Sequence, residues 1–439
     1  MRRICLTLPT NRPCAEAISA IRAEADHAVA HFDVEVHLLI LDSSDASAFA
    51  RHAEVVRAMP EASGVVVHHL DEAHQRDFLR RVIDRAGPDK PDLILDLMLP
   101  AGLSYGACTN RAFLISAALG CESVHRRDSD SRYQVADGKA AFPIHHELMS
   151  LGKRAADAAG GVTETVLDAQ HADKPVSMVG SSFVGEMSVD IDEMYRLDRD
   201  VYYDVVGLWA PVEWSREQKR ELVEESFRGA GTEEFTRDHA TLGLVDPMRV
   251  DMCNIAFHQV HEQVPLMPAT DTIGSDYFLI HLVRDATLPG VLHNRNIVNF
   301  YTGERRTDQG FMAYQIRFAK FFLSMLYLNA VYDRMERAGA ALLDDRHRVR
   351  VPAVVEFVRD SAGLDWAENV QRLDALDRAY RKLGGRYAEV AQVLLDRRER
   401  LLDEARRDIE DFALLMETWS AMVRAGKATS LYRLQRQSG

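Results

Sequence analysis

The sequence VEVHLLILDSS at residues 34–44 decides the fold of this chain. Its aliphatic and β-branched run, Val34–Leu41, has the length and composition of a buried strand, and the polar residues that follow mark the end of that strand. A shorter apolar run, Ile4–Leu8, precedes it, and residues 14–31 between the two carry apolar side chains at helical spacing. This strand, helix, strand order predicts a βαβ unit with parallel strands.

The same alternation continues beyond this unit. Gly64–Leu70 predicts a third strand, residues 71–86 and 105–120 predict helices, and Ser123–Arg127 predicts a further strand. The predicted fold class is therefore α/β: a Rossmann-like, mostly parallel sheet flanked by helices. In such sheets ligands bind beyond the carboxyl ends of the strands, and the polar motifs of this sequence fall at those ends.

The last part of the chain has a helical pattern. It is helical from about residue 311, and residues 365–438 are rich in Leu, Ala, Arg and Glu, with Gly384-Gly385 predicted to break one long helix into two. The length of 439 residues suggests two or three structural units. We therefore predict an α/β catalytic region over residues 1–330 and a helical C-terminal region over residues 331–439.

Composition excludes several classes of protein. The net charge of -14 argues against a nucleic-acid partner, whose phosphates require clustered Lys and Arg. The five cysteines include no C-x-x-C pair, which argues against structural zinc and suits a reducing cytoplasm. No apolar stretch is long enough to cross a membrane, so we expect a cytoplasmic protein without a membrane partner. The preference for Arg and Ala suggests a bacterial source.

Two aspartates follow the strand Ser123–Arg127. Asp128 and Asp130 lie at positions i and i+2 on a turn, where both carboxylates can face one divalent cation. Mg²⁺ and Mn²⁺ favour oxygen ligands and commonly recruit the phosphates of a substrate to complete their coordination shell. Such aspartate pairs are also common in surface turns, so the motif gains weight only from its surroundings.

Three further motifs precede this pair in order. The first strand runs into a turn formed by Pro9, Thr10, Asn11 and Arg12, the second strand ends at Asp42, and the predicted helix at 105–120 contains Asn110 and Arg111. With Asp128 and Asp130, this order resembles the GT-A nucleotide-sugar glycosyltransferases. The resemblance implies the GT-A fold and a nucleotide-sugar site at Pro9–Arg12, Asp42, Asn110, Arg111 and Asp128. It departs from the family in the order of Asn110 and Arg111.

The resemblance extends downstream as a layout. Gly185 and Glu186 match the segment that lines the sugar, and Asp276, in Gly274-Ser275-Asp276, matches an acid near the acceptor, although it would equally suit a helix N-cap. His293 matches a late metal ligand beside Asp128 and Asp130, and Arg295 is a candidate for the diphosphate. Arg305 and Arg306, in a polar segment at 300–310 that is either a lid or a plain loop, are further candidates. This layout is similar to that of the mannosylglycerate synthase family.

The resemblance implies a glycosyltransferase that uses Mn²⁺ or Mg²⁺ to move a sugar from a UDP- or GDP-linked donor to a small polar acceptor. Asp276 would either act as the catalytic base of an inverting reaction or only hydrogen-bond the acceptor, in which case the reaction would retain the anomeric configuration. Three alternatives stay open at this stage: a nucleotidyltransferase acting on a sugar phosphate, a glycosyltransferase acting on a peptide or protein, and a non-catalytic protein that forms homodimers through its C-terminal helices. Nucleotidyltransferases usually carry a glycine-rich loop after the first strand, and this sequence has none there, which argues against the first alternative.

Overall fold

The structure is a computed structural model that describes residues 1–186, 191–300, 303 and 307–432. Arg305 and Arg306 lie outside the described residues. The strands are β1 Arg2–Thr10, β2 Val34–Asp42, β3 Val65–Leu70, β4 Ser123–Arg127, β5 Ser131–Tyr133, β6 Val135–Ala136, β7 Lys139–Ala140, β8 Glu164–Thr165, β9 Met178–Gly180, β10 Phe183–Gly185, β11 Ala240–Gly243, β12 Asn254–His258, β13 Gly290–His293 and β14 Ile297–Asn299.

Nine strands form the central sheet in the order β3-β2-β1-β4-β12-β9-β13-β11-β8. Most neighbouring pairs are parallel, whereas β12 runs antiparallel to both of its neighbours and β11 runs antiparallel to β13. The predicted α/β class with a mostly parallel sheet is thus confirmed. Thr10 pairs with Asp42 and Thr7 pairs with Arg126, so the carboxyl ends of β2, β1 and β4 lie side by side.

Helices cover the sheet and form the C-terminal region. They are α1 Ala15–His31, α2 Ala46–Ala58, α3 Glu72–Ala86, α4 Pro91–Met98, α5 Tyr105–Ala118, α6 Ile144–Ser150, α7 Ala155–Ala158, α8 Asp192–Leu197, α9 Arg199–Val206, α10 Arg216–Glu225, α11 Val260–Gln263, α12 Phe278–Asp285, α13 Asp308–Ala338, α14 Val351–Ala362, α15 Ala367–Leu383, α16 Gly385–Asp396 and α17 Arg398–Lys427.

Local sequence explains where many of these helices begin and end. Asp45, Asp71 and Ser104 accept hydrogen bonds from backbone N–H groups in the first turns of α2, α3 and α5, as N-cap residues do. The predicted break at Gly384 is confirmed, because this residue has a φ of 71°, which favours glycine. A second break, at Arg397, separates α16 from α17 and was not predicted.

The C-terminal helices pack against the α/β region. In α17 the fully buried Trp419 donates its indole N–H to the carbonyl of His261, and Arg81 of α3 donates to the carbonyl of Leu431 at 3.0 Å. One hydrophobic core extends from the sheet into these helices, and α13 crosses the boundary that we placed after residue 330. None of the described helices combines the length and apolar character that crossing a bilayer requires.

Candidate functional site

Strand β4 delivers side chains alternately to the two faces of the sheet. Arg126 points towards Asp128, with 3.1 Å between the guanidinium and the carboxylate, whereas Arg127 points to the other face and pairs with Glu24 and Glu147. After the strand, the hydroxyl of Ser131 donates to the carbonyl of Asp128 at 2.8 Å and closes the turn. The predicted turn therefore lies at the lip of the sheet, with Arg126 beside it.

Each aspartate of the turn faces an arginine. Asp130 pairs with Arg12 at 2.9 Å, and Arg126 bridges Asp128 and Asp276, with 2.6 Å to the latter. Burial raises the pKa of Asp128 to about 6; Arg126 opposes this shift, while Asp130, Asp251 and Asp276 add to it. This excess of carboxylates over guanidinium groups creates a negatively charged site that favours a cation.

Two cavities meet at this turn. The first, which we call the strand-end cavity, lies over the carboxyl ends of β1 and β2 and is lined by Pro9, Thr10, Asn11, Arg12, Leu41, Ser43, Ser104 and Arg111 among others. The second, the apolar cavity, is lined by side chains of several helices and by Asp251 and Asp276. Both cavities share four lining residues, which are Tyr105, Arg126, Asp128 and Asp130.

Asp276 lies on the wall of the apolar cavity with its side chain 6% exposed. Burial raises its pKa, although the charge and hydrogen bond of Arg126 oppose this shift. The helix that follows, α12, has Tyr277 as its N-cap residue, so the N-cap interpretation of Ser275 or Asp276 is wrong. The hydroxyl of Tyr277 donates to Asp251, which fixes a second carboxylate at this wall.

Asp42 does not line either cavity, in contrast to the nucleoside contact that the resemblance implied. Its side chain is fully buried and accepts hydrogen bonds from His52 and His69, each at 2.8 Å, and from Ser44. Burial by itself raises the pKa of Asp42, but these hydrogen bonds hold it below its ordinary value. Asp42 thus anchors the loop whose Ser43 lines the strand-end cavity.

Asp42, His52 and His69 form the one group of three or more metal-ligating side chains found in the described part of the chain with all ligand atoms within 4.8 Å. Its hydrogen bonds favour a structural role. The backbone N–H of Cys14 donates to Nε2 of His52 at 2.9 Å, so the proton of that ring lies on Nδ1 and points to Asp42. A metal bound at Nδ1 would move this proton to Nε2, where the ring N–H would point at the backbone N–H of Cys14.

The two residues predicted on α5 have different environments. Asn110 is completely buried and exchanges two hydrogen bonds with the backbone of Leu266, so it joins two segments and does not reach a ligand. Arg111 donates to Gln75 and to the carbonyl of Met98, yet it also lines the strand-end cavity. Of these two residues, only Arg111 is placed where a bound nucleotide sugar could contact it.

Strand β10 ends at Gly185 and Glu186 follows it, and neither residue lines either cavity. Gly185 has a φ of 100°, and an added Cβ would meet the carbonyl of Asn299 at 2.8 Å, which explains the glycine. The amide of Asn299, a residue that lines the cavity, donates to the carbonyl of Glu186 at 3.1 Å. These two residues therefore contact Asn299, a lining residue of the apolar cavity, and the side chain of Glu186 is exposed.

His293 and Arg295 lie on the Arg127 side of the sheet. The buried ring of His293 stacks on His146 at 5.4 Å, and Arg295 pairs with Asp238 at 2.6 Å. Burial lowers the pKa of His293. The groups that act on its charge, Glu147, Arg127 and Arg295 among them, all lie on the same face of the sheet as Arg127. The structure therefore does not bring His293 to Asp128 and Asp130, nor Arg295 to either cavity.

Three residues of the site, Arg126, Tyr105 and Asp251, were not predicted from the sequence. Arg126 carries a detectable signal, since an arginine inside a short buried strand requires a nearby carboxylate. Tyr105 and Asp251 carry no such signal, because a helix start and a loop residue reach the site only through long-range packing. Tyr105 lines both cavities where they meet, and Asp251 lines the apolar cavity.

No curated protein matches the chain. Among solved structures, the mannosyltransferase PcManGT from Pyrobaculum calidifontis, in complex with GDP-Man and Mn²⁺, is similar with 13% identity and a TM-score of 0.35 over 98% of this chain and 88% of that chain. A mycobacterial protein is similar with 13% identity and a TM-score of 0.33 over 75% and 74% of the two chains.

A family model gives a match over almost the whole sequence, from residue 2 to residue 435. It is described as a family of unknown function, DUF6271. Because the match covers far more than half of the 439 residues, this chain belongs to the DUF6271 family.

Proposed function

We propose that this protein is a GT-A-type glycosyltransferase that takes its sugar from a nucleotide-diphosphate donor. The single observation that carries the proposal is the junction of two cavities at Asp128 and Asp130. The strand-end cavity would hold the nucleoside, the diphosphate would lie at the junction, and the sugar would point into the apolar cavity towards Asp276. Ligands of α/β sheets bind at this end of the strands.

The proposed cofactor is Mn²⁺ or Mg²⁺, and the donor atoms fit such an ion. Asp128 and Asp130 offer hard carboxylate oxygens, their side chains are 29% and 12% exposed, and both line the junction where phosphate oxygens would complete the shell. When bound, the ion would neutralise the charge that builds up on the leaving diphosphate. We no longer include His293 in this ligand set, since it lies on the other face.

The residues of the chain divide the remaining work. Asp276 would take the proton of the acceptor nucleophile while the bond from the acceptor oxygen to the anomeric carbon forms and the bond from that carbon to the phosphate oxygen breaks. Arg126 would hold Asp276 in place through the 2.6 Å ion pair. Arg12 and Arg111, both lining the strand-end cavity, would bind the phosphates of the donor. The nucleoside diphosphate leaves, and the anomeric configuration is inverted.

Calorimetry with UDP and GDP, each with and without Mn²⁺, tests this proposal. We expect one of the two nucleotides to bind only when metal is present, and this binding to disappear in Asp130→Ala. Asp33→Ala is the matched control, because the Asp33 side chain is 89% exposed and lies away from the junction. If neither nucleotide binds in the presence of metal, the proposed function is wrong.

A further inference from the structure

Aromatic side chains form a large part of the wall of the apolar cavity. Six large rings come from the turn after α9, the loop after α10, the segment before α12 and α13, and two more come from the start of α5 and from β10: Trp209, Phe227, Tyr277, Tyr314, Phe321, Tyr332, Tyr105 and Phe183. Three methionines, Met248, Met252 and Met325, fill the spaces between them. Methionine adapts its shape and makes favourable contacts with aromatic rings, so this wall suits a planar guest.

One face of α13 supplies much of this wall. Its lining residues are Tyr314, Phe321, Met325, Leu328 and Tyr332, whose separations of three, four and seven positions place them along one stripe of the helix. Other faces of α13 are also buried in the core, so the helix is held rigidly from behind. A fixed aromatic stripe of this kind forms a permanent binding surface.

The polar side chains of this cavity include Ser182 and Asn299, and two further polar groups, His281 and Tyr277, are engaged by neighbouring side chains. The ring of His281 stacks on Tyr332 with centroids 3.8 Å apart and planes 9° apart, and burial, with a smaller effect of Arg284, lowers its pKa to about 3, which keeps it neutral. The hydroxyl of Tyr277 is engaged by Asp251. Among the described lining residues, the charged groups are Arg126, Glu225 and the aspartates near the junction.

We infer that the acceptor is a hydroxylated aromatic compound, a phenol in the simplest case, whose ring lies against the aromatic wall while its hydroxyl faces Asp276. This inference rests on the proposed function and replaces the small polar acceptor that we expected from the sequence. The sugar of the donor would lie beside the carboxylates near the junction, which can bind its hydroxyl groups. A polyol acceptor lying against the aromatic side chains would bury several hydroxyl groups against apolar atoms, and each one left without a partner lowers binding by roughly tenfold. An aliphatic chain would fill the space without using the faces of the rings.

The acid at the end of the cavity suits the same acceptor. A phenolic hydroxyl has a pKa of about 10, as tyrosine has, so a carboxylate removes its proton more easily than that of an aliphatic alcohol. In the transfer, the phenolic oxygen bonds to the anomeric carbon as the phosphate oxygen leaves, and the proton passes to Asp276. No oxidant or further reactant is required.

The test is a titration of the full chain with 4-methylumbelliferone, a planar fluorescent phenol, followed by fluorescence anisotropy. We expect saturable binding to the wild-type protein, and little displacement by an excess of glucose or 1-decanol. Trp209→Ala removes part of the aromatic wall and should weaken binding roughly tenfold. Met325→Trp fills the cavity and should weaken binding at least as much. Either variant alone tests the inference if the other does not fold.

Trp366→Ala is the matched control, because Trp366 is 39% exposed and does not line the cavity. Equal affinity in all four proteins would place the phenol elsewhere and overturn the inference, as would tighter binding of decanol than of the phenol. Binding of a nucleotide with Mn²⁺ but no binding of the phenol would overturn the inference and leave the proposed function standing. Phenol binding at the cavity without nucleotide binding would instead remove the proposed function.

Discussion

Arg126 and Arg127 are neighbours in one strand, and their surroundings differ completely. Arg127 is enclosed by Glu24 and Glu147, whose side chains have no exposed surface, and Glu24 also accepts from Tyr133 and from the backbone of Ile144. Arg126 lies between Asp128 and Asp276 on the walls of two cavities. The same residue type thus builds a closed ion network on one face of the sheet and an open one on the other.

The pKa values of the carboxylates on the two faces are shifted in opposite directions. Burial raises the pKa of Glu147, but the charge of Arg127 and the hydrogen bond of His125 outweigh it, so the pKa is held below its ordinary value. On the open face, burial and neighbouring acids outweigh Arg126, and the pKa of Asp128 rises to about 6. Removing one partner from a complete buried ion pair is strongly destabilising, whereas an incomplete pair keeps negative charge for a ligand.

The largest expected effect is on the free energy of unfolding. Arg127→Met would leave Glu24 and Glu147 buried without their cation and should cost about 3–5 kcal/mol, measured by urea denaturation. Arg126→Met should cost clearly less, since Asp128 is 29% exposed and can be hydrated, and since Asp276, whose pKa burial already raises, lines a cavity and can take up a proton. Arg132→Met, with its side chain 67% exposed, is the surface control. Equal losses for Arg126 and Arg127 would remove the distinction between the two faces.

A matched pair of acid-to-amide changes should separate the faces by activity. Asp276→Asn should lower turnover about a hundredfold or more, because the amide takes no proton, while affinity for the nucleotide with metal stays within a fewfold. Glu147→Gln should lower the melting temperature and leave the turnover of the folded enzyme unchanged. Initial rates with the donor sugar and thermal denaturation give the two readouts. A fall in turnover for Glu147→Gln alone would reverse our assignment.

The raised pKa of Asp128 predicts how donor binding depends on pH. Below about pH 6 this carboxylate gains a proton in the free protein, so affinity for a nucleotide sugar with Mn²⁺ should fall by up to about tenfold per pH unit. Calorimetry between pH 5 and 8 measures this, using the intact nucleotide sugar because its diphosphate does not titrate in that range. A flat profile across pH 6 would contradict the open network around Asp128.

The smallest effect is expected at Asp42, whose carboxylate, like those of Glu24 and Glu147, is fully buried and bound by protein side chains. Ser44→Ala removes one of its hydrogen bonds and should cost about 1 kcal/mol of unfolding free energy. Nucleotide affinity should stay the same, because Asp42 positions the loop and does not touch the ligand in our description. Urea denaturation and calorimetry on the same sample provide the comparison. A large loss of affinity with unchanged stability would restore the nucleoside contact that the resemblance implied.

Sequence patterns located the local features of the site well. The strand Ser123–Arg127 has the predicted bounds, and Pro9, Thr10, Asn11, Arg12, Asp128 and Asp130 all line the strand-end cavity. They were predictable because residues at the carboxyl ends of adjacent parallel strands must lie at one edge of the sheet. Arg111 and Asp276 also line a cavity, and the roles assigned to all these residues stay predictions. The division of the chain at residue 330 and dimerisation through the C-terminal helices stay predictions.

Order along the chain could not assign a face. His293 and Arg295 follow Asp276 as the resemblance expects, yet they lie with Arg127, because His293 at the end of β13 and Arg295 in the loop after it face the other side of the sheet. Asp42 and Asn110 were placed correctly along the chain but turn their polar groups to protein partners. A strand alternates its side chains with a period of two, and a shift of one residue exchanges the faces.

The sequence by itself determined the order of strands and helices and the polar turns at the strand ends, because hydrophobic periodicity and turn chemistry act over short distances. Only the tertiary structure decided which arginine faces a cavity, which carboxylates share it, and what closes it. Arg126 meets Asp276 across 150 positions, and α13 brings its aromatic stripe to the same cavity. Such contacts depend on how whole elements pack, and no local pattern encodes that packing.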